Sequence, residues 1–200
     1  MVRLAISVEG PTEERFVKMV MVPYLQQKEI YAIPFTLGHA GGNVSFRRIR
    51  KDLNNLANSF DKVTTLYDFY GFRDKEAGDD KASLERKIVE CIAAPLRGKI
   101  IPYIQMHEFE GILFSSPEAI ENNIRQTGLA EWAGNILRQF DNDPEKNNDS
   151  KETAPSKRLL RETGYIKTVH GPNIAQEIGL AVLRTRCAGF GDWLNRLETL

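Results

Sequence analysis

Acidic side chains follow apolar stretches of the sequence, at the point where each stretch ends. Four acids occupy such positions: Glu9, Asp68, Glu108 and Glu110. Carboxylates gathered in a cleft of low dielectric constant repel one another strongly unless a cation neutralises them. Mg²⁺ and Mn²⁺ prefer hard oxygen ligands, and they can polarise a phosphodiester and activate the attacking water. The pattern therefore predicts a divalent-metal site that acts on phosphate esters.

The stretches before these acids are typical of buried strands. Residues 4–8 carry no charge and are apolar except for Ser7. Residues 62–67 are rich in β-branched side chains, and residues 100–106 are a third strand candidate. Helical patterns separate them, which predicts an α/β fold with a mostly parallel sheet and helices on both faces. Residues 31–37 are a further strand, which its proline places at an edge. In such a sheet the acids would converge on one rim. Glu108 and Glu110 alternate with Phe109, so in an extended segment they would share one face.

The second half of the chain is predicted to be mainly helical. We predict one domain of residues 1–200, with the sheet core in 1–114 and a helical extension in 115–200. Residues 141–153 are dense in Asp, Asn, Glu and Lys, which is typical of a mobile loop. Residues 164–172 contain Gly and Pro and are predicted to form a loop before the last long helix.

Net charge gives no argument for or against nucleic acid, because 27 basic residues balance 27 acidic ones. Local patches are more informative. Residues 46–53 predict a helix with four cations in five positions, after a Gly-rich segment at 38–43 whose backbone amides could cradle phosphate. A solvated helix face is the alternative interpretation. Lys157 and Arg158 open a later helix, where their charge opposes the helix dipole, which is acceptable if they bind an anion.

The location of the protein is predicted from what the sequence lacks. It carries no signal peptide and no apolar run long enough for a membrane span. The cysteines Cys91 and Cys187 are far apart and lack metal-type spacing. We therefore expect a soluble, cytoplasmic protein with free thiols that does not bind a membrane.

Several motifs resemble those of the DUF4276 family, a Toprim-like group related to the nuclease part of OLD proteins. They occur in the same order at residues 8–13, 66–71, 107–114, 155–159 and 174–180. The resemblance spans nearly the whole chain and implies a Toprim/Rossmann-like fold. It also implies a magnesium- or manganese-dependent nuclease of a prokaryotic phage-defence module, with a partner ATPase of the ABC or AAA type.

The same resemblance assigns roles to individual acids. Glu9 takes the place of the Toprim glutamate, which binds metal or acts as a general acid or base. Asp68 takes the first position of the Asp-x-Asp motif, but Tyr70 stands at the second, and a phenol is a poor Mg²⁺ ligand. Either Glu108 or Glu110 supplies the missing carboxylate, or metal binding is weak, or activity is lost. Nearby acids could also contribute: Asp74, Asp79 and Asp80.

The leading hypothesis is a divalent-metal-dependent phosphodiesterase, a nuclease that acts on DNA or RNA. Its metal ligands, for Mg²⁺ or Mn²⁺, would be Glu9, Asp68, Glu108 and Glu110. By resemblance a lysine assists at the scissile phosphate, and Lys157 is ranked before Lys167 for that role. Backbone phosphates would be bound by Arg47, Arg48, Arg50, Lys157 and Arg158. One alternative is a non-catalytic Toprim-like subunit that binds nucleic acid or regulates an ATPase, and another is phosphoryl-transfer chemistry on a mononucleotide or small phosphate ester.

Overall fold

The computed structural model describes residues 1–38, 44–148, 150 and 152–200. They form two compact units, Met1–Ile104 with Leu200, and Gln105–Thr199. The sheet ends with the strand at Ile104–Gln105, and the single domain with a sheet core in 1–114 stays a prediction. Most of the predicted Gly-rich phosphate loop, at 39–43, lies outside the described residues.

The first unit is built on the predicted sheet. Its strands are β1 (Val2–Val8), β2 (Ile30–Thr36), β3 (Lys62–Asp68), β4 (Ile100–Ile101) and β5 (Ile104–Gln105). The order is β2-β1-β3-β4, and β5 also pairs with β3. The pairs β1–β2, β1–β3 and β3–β4 are all parallel. The mostly parallel sheet predicted from the sequence is therefore confirmed.

Helices cover both faces of this sheet. They are α1 (Pro11–Phe16), a π-helical turn (Val17–Met21), α2 (Val22–Gln26), α3 (Phe46–Ser59) and α4 (Lys81–Glu90). The connections β1–β2 and β2–β3 run in opposite directions across the sheet, so right-handed crossovers place α1 and α3 on opposite faces. The core between the sheet and α3–α4 includes Ala5, Tyr67, Ile49 and Ile88. Burial on both faces explains the mostly apolar residues 4–8 of β1, which are all buried.

The edge position predicted for the second strand is confirmed, since β2 pairs only with β1 within the described sheet. The bonds Val2 N–H to Glu29 O and Leu37 N–H to Val8 O show that odd-numbered residues of this segment face β1. Pro34 therefore directs its missing N–H away from the sheet. A proline in that place removes no ladder bond and blocks further strand pairing.

The single strand predicted at 100–106 is wrong, because two short strands flank Pro102 and Tyr103. Two buried hydroxyl groups of β3 replace the backbone ladder there. Thr64 donates to the Ile101 carbonyl at 2.6 Å, and Thr65 donates to the Tyr103 carbonyl at 2.8 Å. Thr65 also accepts the Tyr103 N–H at 2.9 Å. Side chains thus satisfy backbone groups where proline interrupts the strand.

The second unit is helical, as predicted. Its helices are α5 (Glu110–Leu113), α6 (Pro117–Ile124), α7 (Leu129–Arg138), α8 (Pro155–Glu162), α9 (Lys167–Arg186) and α10 (Ala188–Glu198). The predicted loop at 164–172 is wrong for its second half, because α9 begins at Lys167 and is interrupted at Gly179. His170 Nδ1 accepts the Ile166 N–H at 2.9 Å and so caps this helix. No helix in the described parts of the chain is both long and apolar enough to cross a membrane.

The polar segment at 141–153 contains a short 3₁₀ turn, Pro144–Lys146. Asp143 accepts the Glu145 N–H at 2.9 Å. Glu145 in turn accepts the N–H groups of Gly189 and Phe190 at 2.7 and 3.1 Å, at the start of α10. This turn therefore helps to hold α10, while the mobility of residues 141–153 stays a prediction.

Candidate active site

The order of the strands defines a crevice at the carboxyl ends of β1 and β3. From β1 the chain proceeds to β2 on one side of this pair, and from β3 it proceeds to β4 on the other. Ligands of open α/β sheets bind outside the carboxyl ends of the strands at such a switch point. Glu9 directly follows β1, and Asp68 is the last residue of β3. Two of the predicted metal ligands therefore lie at the switch point.

The Glu9 carboxylate lies against the end of β3 and the turn that follows it. Its Oε2 atom accepts the Asp68 N–H at 3.4 Å. A Cβ atom added to Gly71 would lie 2.2 Å from Glu9 Oε2 and 2.8 Å from Cδ. Only a glycine permits this approach of backbone and carboxylate. The sequence shows the glycine but not the contact, so its role was not predicted.

An aromatic pair occupies the same turn. Phe69–Gly71 is a 3₁₀ turn, and the ring centroids of Phe69 and Tyr70 are 6.0 Å apart. The Lys75 ammonium lies 3.9 Å from the Phe69 centroid and 5.3 Å from that of Tyr70. Tyr70, which replaces the second acid of the Asp-x-Asp motif, thus belongs to a group of two rings and one cation.

The other acids near this turn have structural partners. Asp74 accepts the Phe46 N–H at 2.9 Å, at the start of α3. Asp80 caps α4 by accepting the Ser83 N–H at 2.7 Å. Asp79 pairs with Lys87 at 2.9 Å, and hydrogen bonds from the Glu76 N–H and from Lys87 lower the pKa of Asp79 to about 2. These acids stabilise the helices that surround the crevice.

The acids of the second unit each contact a different helix. Glu108 accepts the Ser156 N–H at 3.0 Å, in the first turn of α8. Glu110 is only 2% exposed, and it lies 3.4 Å from the Tyr165 hydroxyl and 3.2 Å from Lys167 Nζ. The expectation that both acids share one face of an extended segment is wrong, because Phe109 between them has helical φ and ψ of −50° and −39°.

His107, next to these acids, has a backbone conformation that is uncommon for a residue other than glycine. Its φ is 62°, in the left-handed region. Its Nδ1 atom lies 3.5 Å from the Asn148 side-chain amide nitrogen. The amide nitrogen is a donor, so the ring nitrogen is placed to accept.

The predicted phosphate-binding residues differ in their exposure and in their contacts within the protein. Arg47, Arg48 and Arg50 are exposed on α3, whose first turn contains no acidic residue. Lys157 is exposed on α8. Arg158 donates to the Thr153 carbonyl at 2.7 Å and its guanidinium lies 5.6 Å from the Phe140 ring centroid, so it stabilises the start of its own helix.

The donor chemistry of the crevice fits Mg²⁺ better than zinc. Among the residues that the structure describes, no group of three His, Cys, Asp or Glu side chains is close enough to hold a metal ion. Magnesium does not need such a group, because it usually keeps several waters and binds through one or two carboxylates and phosphate oxygens. Glu9 and Asp68 offer that minimal set, whereas a zinc site would need more protein ligands.

Comparison with known proteins supports the fold. The model of a family described as "Domain of unknown function (DUF4276)" matches residues 8–198. The C-terminal region of the Burkholderia pseudomallei OLD protein is similar, with a TM-score of 0.53, 14% identity, and coverage of 100% of this chain and 98% of that chain. The corresponding region of the Xanthomonas campestris pv. campestris OLD protein gives a TM-score of 0.49 at 16% identity, covering 98% and 94%. No curated protein matches the sequence.

Proposed function

Because the chain belongs to the DUF4276 family, we propose that it is a divalent-metal-dependent nuclease with its active site at the switch point between β1 and β3. The observation that carries this proposal is the position of Glu9 and Asp68 at the carboxyl ends of neighbouring parallel strands. The fold, which is similar to the C-terminal region of an OLD protein, agrees with it.

Each part of the first unit has a role in this proposal. Bound Mg²⁺ or Mn²⁺ would polarise the phosphodiester and lower the pKa of a water. Glu9 and Asp68 would hold the metal, and the lack of a Cβ at Gly71 leaves room for the Glu9 carboxylate. The exposed cations of α3 bind backbone phosphates and orient the strand: Arg47, Arg48 and Arg50. In this proposal the acidic crevice would bind the metal ion, and the basic helix α3 would bind the nucleic-acid backbone.

The remaining residues that the sequence predicts for the site lie in the second unit, and their roles stay proposals. Lys157 is exposed and is the first choice for the lysine that contacts the scissile phosphate. Lys167 pairs with one oxygen of Glu110 at 3.2 Å, so its ammonium would compete with a metal ion for this carboxylate. One carboxylate oxygen of Glu108 accepts the Ser156 N–H in the first turn of α8. Both acids stay proposed ligands, and Arg158 is a weaker candidate for phosphate.

The setting we propose rests on family resemblance alone. It is a cytoplasmic nuclease that acts on DNA or RNA as the effector of a prokaryotic defence module. Its partner would be an ATPase of the ABC or AAA type.

A non-catalytic subunit that binds nucleic acid or regulates an ATPase is the second candidate. Tyr70 in place of an acid favours it, since a phenol binds Mg²⁺ poorly. The two candidates differ in whether metal and turnover depend on Glu9 and Asp68.

The test is cleavage of labelled single- and double-stranded DNA and RNA with Mg²⁺ or Mn²⁺, alone and with a candidate ATPase. Glu9→Gln and Asp68→Asn should abolish cleavage and leave the fold intact by circular dichroism. Glu90→Gln, at an exposed acid of α4, is the matched control and should cleave normally. Wild-type turnover by Glu9→Gln would refute the site, and release of phosphate from mononucleotides alone would indicate a phosphatase.

A further inference from the structure

We propose that Phe69, Tyr70 and Lys75 form a stacking platform for an unpaired nucleotide beside Glu9 and Asp68. This inference rests on the proposed function and specifies its substrate as single-stranded or locally unpaired nucleic acid. In this interpretation Tyr70 stands at an acid position because its ring contacts the substrate and not the metal.

The geometry of the turn supports a platform. Phe69 and Tyr70 are both partly exposed, and their ring planes are tilted by 52° at a centroid distance of 6.0 Å. The two residues directly follow Asp68. A base stacked on either ring would therefore bring its own phosphate towards the acidic crevice.

Lys75 adds the charge that such a platform needs. Its ammonium lies within cation–π distance of both rings, at 3.9 and 5.3 Å from their centroids. Proteins that bind single strands combine aromatic faces for the bases with cations along the backbone. This ammonium, which lies over the Phe69 ring, can also contact a phosphate of the bound strand.

The basic helix adjoins the same turn, which gives the backbone a continuous path. Val44, just before α3, forms a parallel bridge with Phe72. The rings of Phe46 and Phe72 are 5.8 Å apart, and the first N–H of α3 is bound by Asp74. The arginines of α3 therefore begin close to the aromatic turn within the first unit.

This arrangement selects unpaired nucleotides for a physical reason. Bases inside a duplex are already stacked on each other, so a protein ring reaches their faces only after they are flipped out. A single strand offers those faces without that cost. Stacking on one aromatic side chain typically changes affinity by roughly tenfold or more.

The test measures binding without metal, so that it does not depend on cleavage. An oligothymidine containing 2-aminopurine would be titrated with protein in EDTA. Wild type should bind it and quench the probe, and Tyr70→Phe should do the same. Tyr70→Leu should bind about tenfold more weakly and lose the quenching. Tyr31→Leu, at a 53% exposed tyrosine of β2, is the control and should behave as wild type.

Three outcomes separate this inference from the proposed nuclease. Equal binding and quenching by wild type and Tyr70→Leu, with both variants folded by circular dichroism, would show that the rings only pack together. Failure of wild type to bind the single strand would also overturn the platform. The nuclease proposal would then still be tested separately, by the cleavage of duplexes. Tyr70-dependent binding without any cleavage would uphold the platform and refute the nuclease.

Discussion

Gly71→Ala should disable the proposed site through a single methyl group. The new Cβ would lie 2.2 Å from Glu9 Oε2, whereas ordinary contact begins at 3.4 Å, so the carboxylate at the end of this flexible side chain must move by about 1.2 Å. A misplacement of about 1 Å in an active site can cost roughly 100-fold in rate, or about 2.7 kcal/mol. Gly71 is not among the glycines with positive φ, so alanine adds a clash and no backbone strain.

The assay is kcat/KM for metal-dependent cleavage, together with the Kd for Mn²⁺. Gly98→Ala is the matched control, because a Cβ there has no atom within 4 Å and its φ is also not positive. We expect a loss of about 100-fold for Gly71→Ala and no change for Gly98→Ala. Wild-type kinetics in Gly71→Ala would refute the claim that the Glu9 carboxylate position matters for catalysis.

Two further predictions concern charge. Replacing Arg47, Arg48 and Arg50 with alanine should weaken nucleic-acid binding. The slope of log K against log salt concentration should fall by up to about 2.7 on duplex DNA. An unchanged slope, measured by fluorescence anisotropy, would mean that this face of α3 is only solvated and does not bind phosphates. Asp79 has a lowered pKa of about 2, so the stability it gives is present above the unfolded pKa of about 3.9 and is lost as pH falls through about 2. Acid unfolding followed by circular dichroism should therefore be less steep in Asp79→Asn between about pH 4 and pH 2, and identical acid profiles would contradict this assignment.

The sheet could be predicted from the sequence because its signal is local. Residues 4–8 and 62–67 are mostly apolar or β-branched, and each is followed by one acid and a turn. Buried parallel strands require that composition. The carboxyl ends of neighbouring parallel strands then meet at one edge, so Glu9 and Asp68 could be placed together without coordinates.

Other features depend on partners that are distant in sequence. The strand at 100–106 is broken because the hydroxyls of Thr64 and Thr65 can replace the ladder around Pro102. The closeness of Gly71 to the Glu9 carboxylate is equally invisible in local patterns. Periodicity reports which face of an element is buried, but it does not report which side chain satisfies a given backbone group.

Two errors arose from local geometry in the second unit. The helical backbone of Phe109 sends Glu108 and Glu110 to different helices, although alternation in an extended strand would have placed them together. The start of α9 was missed because Gly171 and Pro172 suggest a loop, while the cap comes from the ring of His170. Histidine is not among the usual helix-capping residues, so the sequence offered no clear signal.

The most direct test of the site is a calorimetric titration with Mn²⁺ and Mg²⁺, in the presence and absence of an oligonucleotide. Wild type and Glu90→Gln should bind metal, and both Glu9→Gln and Asp68→Asn should lose that binding while remaining folded. This result would place the ion at the carboxyl ends of β1 and β3. Metal binding that survives both substitutions, or a wild type that binds no metal even with the oligonucleotide, would contradict the proposed active site.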